Sequence, residues 1–201
     1  MIAIIDYGAG NIKSVEKALL FLGQDVKITD RPQEILAADK VVLPGVGAFG
    51  DAMEHLHHRG LVSVIREVTD RQTPFLGICL GLQLLFSGSE EAPGVEGLGI
   101  LPGKILRIPA KDDLKIPHMG WNSLHLTHTG RLFRGVPEGA FVYFVHSYYL
   151  EAEQEEIVKA SIMYGVSIHA SVEKGNVFAC QFHPEKSGDI GLQILRNFVE
   201  L

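Results

Sequence analysis

Phe75-Leu76-Gly77-Ile78-Cys79-Leu80-Gly81-Leu82 is the stretch that decides the fold of this chain. Phe75, Leu76 and Ile78 predict a short buried strand, and Leu80, Leu82, Leu84, Leu85 and Phe86 predict a helix directly behind it. Cys79 then sits on the strand-to-helix turn. This is the layout of a nucleophile elbow with sulfur in place of oxygen: the flanking glycines permit a sharp backbone and leave room for a substrate beside the side chain. The unpaired N–H groups and positive dipole end of such a helix favour thiolate over thiol, and the thiolate is the reactive form. A cysteine in an apolar run is more often a core filler. The two glycines and the helix start weigh towards chemistry.

A second cluster lies far downstream, in Gln181-Phe182-His183-Pro184-Glu185. It follows residues 177–182, a run with strand character, and Pro184 biases His183 towards an extended backbone. Residues two apart on extended chain share a face, so Glu185 is placed to support a histidine that takes the proton of Cys79, the third-group logic of a triad. Sequence distance is no objection, because nucleophile and base meet only in the fold. Cys180 reads as a buried spectator facing away from His183.

Outward from these motifs, short apolar runs alternate with helical patterns. Residues 2–5, 26–28 and 41–43 read as strands, and Ile12, Val15, Leu19 and Leu22 share one helical face. That is the rhythm of an α/β protein with a parallel sheet. Gly23 is placed to end the first helix, and Gly60 the one starting near Phe49. After a glycine- and proline-rich connection over 88–103, strands at 104–108, 141–149, 157–164, 167–172 and 177–182 follow one another, and a helix over 190–198 closes the chain. In open α/β sheets ligands bind outside the carboxyl ends of the strands. Three loops are expected there: Gly8-Ala9-Gly10-Asn11, Pro44-Gly45-Val46-Gly47 and the Cys79 elbow. The first matches the dinucleotide fingerprint incompletely and reads as a tight turn. The second has backbone N–H groups suited to the oxyanion formed when Cys79 attacks a carbonyl carbon, with Leu80 N–H as the other donor. Glycines beside Val46 make its peptide unit easy to reorient, so a gated oxyanion site, completed only with a partner or its substrate bound, is expected.

With Gly77-Ile78-Cys79-Leu80-Gly81 and Gln181-Phe182-His183-Pro184-Glu185 in place, the chain resembles the class I, triad-type glutamine amidotransferases over nearly its whole length. The resemblance implies a flavodoxin-like α/β fold in one domain, 1–201, with a central, mostly parallel sheet flanked by helices and additional antiparallel strands in the C-terminal half. Within the family, the segments at 6–11, 43–50, 89–94, 117–122 and 144–148 are similar to the glutaminase subunits of imidazole glycerol phosphate synthase, in histidine biosynthesis. That implies glutamine as substrate, a Cys79–His183–Glu185 triad, Val46 and Leu80 as oxyanion donors, and Gly47, Gln83, Ser147 and Tyr148 around the glutamine. It also implies a heterodimer with a cyclase of TIM-barrel fold, contacted through Met119, Trp121 and Lys186. On residue type alone, Gln83 equally reads as a capping or solvated side chain, and Tyr148 as an ordinary strand aromatic. Glutaminases serving guanylate, anthranilate or pyridoxal phosphate synthesis are expected to differ over 44–47 and 117–122. A non-catalytic module of the same fold is expected to have lost a triad member, and none is missing.

Composition fits this expectation. The 201 residues are 46% hydrophobic and 21% charged, ordinary for one globular domain. A formal charge of −6 without a Lys/Arg block argues against nucleic acid or an anionic membrane surface. Two cysteines are too few for a disulfide framework, so a reducing, cytoplasmic setting is expected. The start lacks the basic region and long apolar core of a signal peptide. The uncharged stretch between Arg71 and Glu90 is broken by Pro74, Gly77, Gly81, Gln83 and Ser87, so it reads as buried strand plus buried helix rather than a membrane span. No cofactor is implied, and no metal: His55, His57 and His58 read as an exposed helix end, because no further ligands complete a site. Glu151, Glu153, Glu155 and Glu156 read as a solvated turn.

Overall fold

The computed structural model describes residues 1–8, 11–111, 114–127 and 129–201. The first half alternates strands with helices: β1 (Ile2–Ile5), α1 (Ile12–Phe21), β2 (Val26–Thr29), α2 (Pro32–Leu36), β3 (Lys40–Gly45), α3 (Phe49–His58), α4 (Leu61–Asp70), β4 (Phe75–Cys79) and α5 (Leu80–Leu84). The second half is strand-rich: β5 (Gly103–Arg107), β6 (His118–Ser123), β7 (His125–Leu126), β8 (Phe141–His146), β9 (Tyr148–Ala152), β10 (Val158–Tyr164), β11 (Val166–Lys174), β12 (Val177–Cys180) and, last, α6 (Gly188–Val199).

Among the described residues the main sheet runs β2-β1-β3-β4-β12-β11-β10-β7. Its first five strands pair in parallel. From β12 outward the pairing is antiparallel, with β9 on β11 and β5 on β9. Apart from Lys40 at the start of β3, the parallel strands β1, β3 and β4 are apolar and buried because both faces are covered. On one face Ile35, Phe49, Leu56, Leu61 and Ile65 of α2, α3 and α4 pack with Leu43 and Phe75. On the other, Val15 and Leu19 of α1 and Ile194, Leu195 and Phe198 of α6 pack with Ile4, Leu76 and Phe178. β6 and β8 form a separate two-stranded ribbon beside the sheet.

Several expectations are corrected. The strand predicted over 141–149 is two strands: the chain leaves β8, which pairs with β6, and after Ser147 joins β9, which pairs with β5. That change of sheet bends the backbone at Ser147. The helix after Cys79 is a five-residue turn ending at Leu84, so little macrodipole stands behind the sulfur. The helix α4 was not anticipated, although Leu61, Val64, Ile65 and Val68 carry helical spacing; Gly60, at φ 66°, lets the chain turn straight from α3 into it. Strand β6, from the Pro117–Asn122 segment, was also missed. Finally, β12 ends at Cys180, so Gln181 and His183 lie beyond the sheet.

Candidate active site

The elbow owes its geometry to close backbone packing. Cys79 itself takes the positive φ, at 55° with ψ −107°, a conformation costing on the order of 1–3 kcal/mol. Gly77 and Gly81 do not have positive φ; they are needed because there is no space for a side chain. A Cβ on Gly81 would lie 1.9 Å from the Leu43 carbonyl oxygen, and one on Gly77 2.7 Å from that of Gly81. The room the glycines provide is therefore filled by backbone, holding α5 against β3 and β4, and not by substrate. Parallel pairing sets Gly45 opposite Cys79, so Val46 follows directly beside the nucleophile. Gly45 is equally constrained: a Cβ there would meet the Tyr7 hydroxyl at 2.5 Å.

A cavity of about 240 Å³ opens in front of the elbow. Val46, Gly47, Cys79, Leu80, Gln83, Ser147 and Tyr148 all line it, joined by Glu91, Pro117, Val145 and His146. Glu91 accepts the Phe49 N–H at 2.9 Å, tying the 89–94 segment to the start of α3. The sulfur is 3.8 Å from the Val145 carbonyl oxygen and 3.7 Å from the side-chain nitrogen of Gln181.

His183 and Glu185 lie behind the sulfur rather than on the cavity wall, and their side chains are only 2% and 1% exposed. Nδ1 of His183 is 2.8 Å from Oε1 of Glu185. The two meet through a 3₁₀ turn over Pro184–Lys186 and not through the extended chain expected from spacing. Burial disfavours the charged imidazole, but Cys79 and Glu185 outweigh it and lift the pKa of His183 to about 9. Its Nε2 has no hydrogen-bond partner among the described residues, which leaves that nitrogen available to carry a proton. Cys180 is wholly buried; burial first, then the charges of Glu185 and Cys79, push its thiol up, away from the reactive thiolate.

Met119 and Trp121 are exposed on β6, at 63% and 54%. Trp121 packs edge-on against Tyr143 of β8, and exposed Lys186 stands 5.9 Å from the same ring, so the three expected partner contacts share one face. They are not among the residues that line the cavity, although Met119 is the cross-strand neighbour of Val145, which is. Of the loop Gly8-Ala9-Gly10-Asn11, Ala9 and Gly10 lie outside the described residues; Gly8 N–H donates to the Asp6 carboxylate at 3.0 Å. His55 bonds the Tyr7 carbonyl through Nδ1, and among the described residues no group of three His, Cys, Asp or Glu could hold a metal. Nor is any described helix long and apolar enough to cross a membrane. Sequence reasoning gave no role to Gln181, Glu91, His146 or the Val145 carbonyl. Gln181 was findable, since it lies two residues before His183; the others reach the cavity only through tertiary pairing.

The model of the class-I glutamine amidotransferases matches residues 3–201, and the chain belongs to that family. It is 56% identical to the imidazole glycerol phosphate synthase subunit HisH of Moorella thermoacetica, covering 100% of this chain and 94% of the relative. The same-named subunits of Bacillus cereus (56%; 98% and 93%) and Thermosynechococcus vestitus (54%; 100% and 96%) are comparably similar. Within the family, the chain is therefore of the imidazole glycerol phosphate synthase glutaminase-subunit type. The structure of PurLQS from Thermotoga maritima, at 19% identity and TM-score 0.78 over 99% of this chain and 97% of that one, shares the fold.

Proposed function

We propose that this chain hydrolyses glutamine to glutamate and ammonia through a Cys79 thioester, and passes the ammonia to a cyclase subunit that forms imidazole glycerol phosphate and aminoimidazole carboxamide ribotide. The observation that carries the reading is the buried His183–Glu185 pair behind a strained cysteine that lines a cavity of amino-acid size.

The Cys79 thiolate attacks the side-chain amide carbon of glutamine. The oxyanion is held by the N–H groups of Leu80 and Val46, worth on the order of 3 kcal/mol per donor. His183, charged at neutral pH, protonates the departing ammonia, and the neutral imidazole then draws a proton from the water that opens the thioester. Glu185 orients the ring and offsets its charge. Gly47, Gln83, Ser147 and Tyr148 surround the glutamine; the nitrogen of the Gln83 side chain is already bonded twice, so its oxygen is the atom left for the ligand.

The partner is a TIM-barrel cyclase docked on the Met119, Trp121 and Lys186 face, making a cytoplasmic heterodimer with no cofactor of its own. The apolar exposure of Met119 and Trp121 favours such a contact over solvent. Met119 pairs across the ribbon with Val145, which lines the cavity, so the docking face adjoins the site where ammonia is released. The oxyanion loop at 44–47 is gated by the loaded cyclase.

Glutamate release from glutamine, by the chain alone and then with a cyclase subunit and its ribonucleotide substrate, tests the reading. A strong rise with the loaded cyclase, abolished in Cys79→Ala, is expected. Equal turnover with and without it overturns the gating, and wild-type activity in Cys79→Ala overturns the mechanism.

A further inference from the structure

We propose that Gln181 is a catalytic residue of this reaction: its side-chain N–H donates to the Cys79 sulfur and stabilises the thiolate, with Gln83 and the Tyr148 carbonyl fixing its orientation. This rests on Cys79 being the nucleophile.

The orientation follows from donor and acceptor types. A side-chain amide can present either end, and an oxygen against a thiolate would repel it. The Tyr148 carbonyl only accepts, so the Gln83 atom 3.1 Å away must be its NH₂. The same NH₂ lies 3.0 Å from the Gln181 side chain, which must therefore present its oxygen there. The NH₂ of Gln181 is left facing the sulfur, at 3.7 Å. Turning Gln181 over would set two NH₂ groups together and an oxygen on the sulfur.

The far end of this chain of bonds is equally determined. The Tyr148 carbonyl also accepts from Nδ1 of His146 at 2.8 Å. The Nε2 of that ring is then an acceptor, filled by Nδ1–H of His118 at 3.0 Å. Burial keeps both rings neutral, with pKa values lowered to about 4, so the direction of donation holds at neutral pH. His146 and Gln83 therefore both donate to the Tyr148 carbonyl, and the Gln181 NH₂ is the donor of this network that faces Cys79.

A purely structural glutamine does not explain the arrangement. Gln181 is 0% exposed, and its backbone N–H is already paired with the Ala170 carbonyl at 2.8 Å. A buried amide is costly unless bonded, and a neutral thiol is a weak acceptor. The NH₂ is well satisfied only when the sulfur is charged. Its effect is opposite to that of the Val145 carbonyl, 3.8 Å from the sulfur, which favours the protonated thiol.

The test is the pH profile of Cys79 alkylation by iodoacetamide in the full-length chain carrying Cys180→Ala, with kcat and KM for glutamine measured alongside. Gln181→Met keeps the volume and removes the donor. It should move the alkylation midpoint up by about one pH unit, and lower kcat roughly 10- to 100-fold with KM little changed. Gln181→Glu keeps the shape and places an oxygen against the sulfur, so its midpoint should move further up; it is read if the methionine variant does not fold. Gln83→Met, which frees Gln181 to turn, should give a smaller shift in the same direction. An unchanged midpoint in a folded Gln181 variant overturns the proposal while leaving the Cys79 mechanism standing. Glutamine hydrolysis by Cys79→Ala would instead overturn the mechanism beneath it.

Discussion

Nδ1 of His183 lies 2.8 Å from Oε1 of Glu185 in a pocket that leaves neither side chain more than 2% exposed. A carboxylate so placed is far more than a surface partner: removing it strands a charged ring away from water. Glu185→Gln keeps the hydrogen bond and loses the charge. Its turnover should fall roughly 10²–10³-fold, less than the ~10⁴-fold or more of Cys79→Ala. The imidazole of His183, followed by NMR, should titrate lower than in the wild-type chain; an unmoved titration would show that Glu185 does not act on the ring.

The raised pKa of His183, about 9 against an unfolded value of about 6.5, makes stability depend on pH in a defined direction. The folded state holds the proton more tightly than the unfolded chain, so the contribution is complete below about pH 6.5 and is lost as pH rises through about 9. The unfolding free energy of the wild type, minus that of the His183→Asn/Glu185→Gln double variant, should therefore decline across that window. A flat difference would contradict the shift.

Buried His118 and His146 behave with the opposite sign. Their pKa values are lowered to about 4, so they stabilise the fold above about pH 6.5, and that contribution is lost as pH falls towards about 4. His146→Gln should flatten the acid limb of thermal stability between pH 6.5 and 4, measured by circular dichroism. An equally steep limb in the variant would exclude His146 as a source of acid sensitivity.

Gly81→Ala should damage the fold as well as the reaction. The added methyl would stand 1.9 Å from the Leu43 carbonyl oxygen, which cannot move without distorting β3. A loss of about 3 kcal/mol is expected from chemical denaturation, at the upper end for overpacking. A near-neutral result would mean that α5 can lift off the sheet freely.

The elbow, the downstream histidine and the alternation of strand and helix were legible in local sequence because each depends on nearest neighbours. An apolar run, a turn cysteine between glycines and a helical face of Val15 and Leu19 impose their own geometry. The role of Gly77 and Gly81 was misread, since a glycine required by another backbone's approach looks in sequence like one required by φ. The break at Ser147 was invisible because it arises from two halves of one apolar run pairing with different strands, β6 and β5. The residues two apart at His183 and Glu185 did meet, but through a 3₁₀ turn.

By itself the sequence determined which atoms can do chemistry: a thiol on a strained turn, an imidazole and a carboxylate within one short segment, and enough apolar periodicity to bury them. Only tertiary structure decided which polar groups surround that thiol. Gln83, Tyr148 and Gln181 are separated by up to 98 residues, and the direction in which their hydrogen bonds run is fixed by one backbone carbonyl that can only accept. Donor direction depends on which atoms face each other in space, and one-dimensional spacing does not record it.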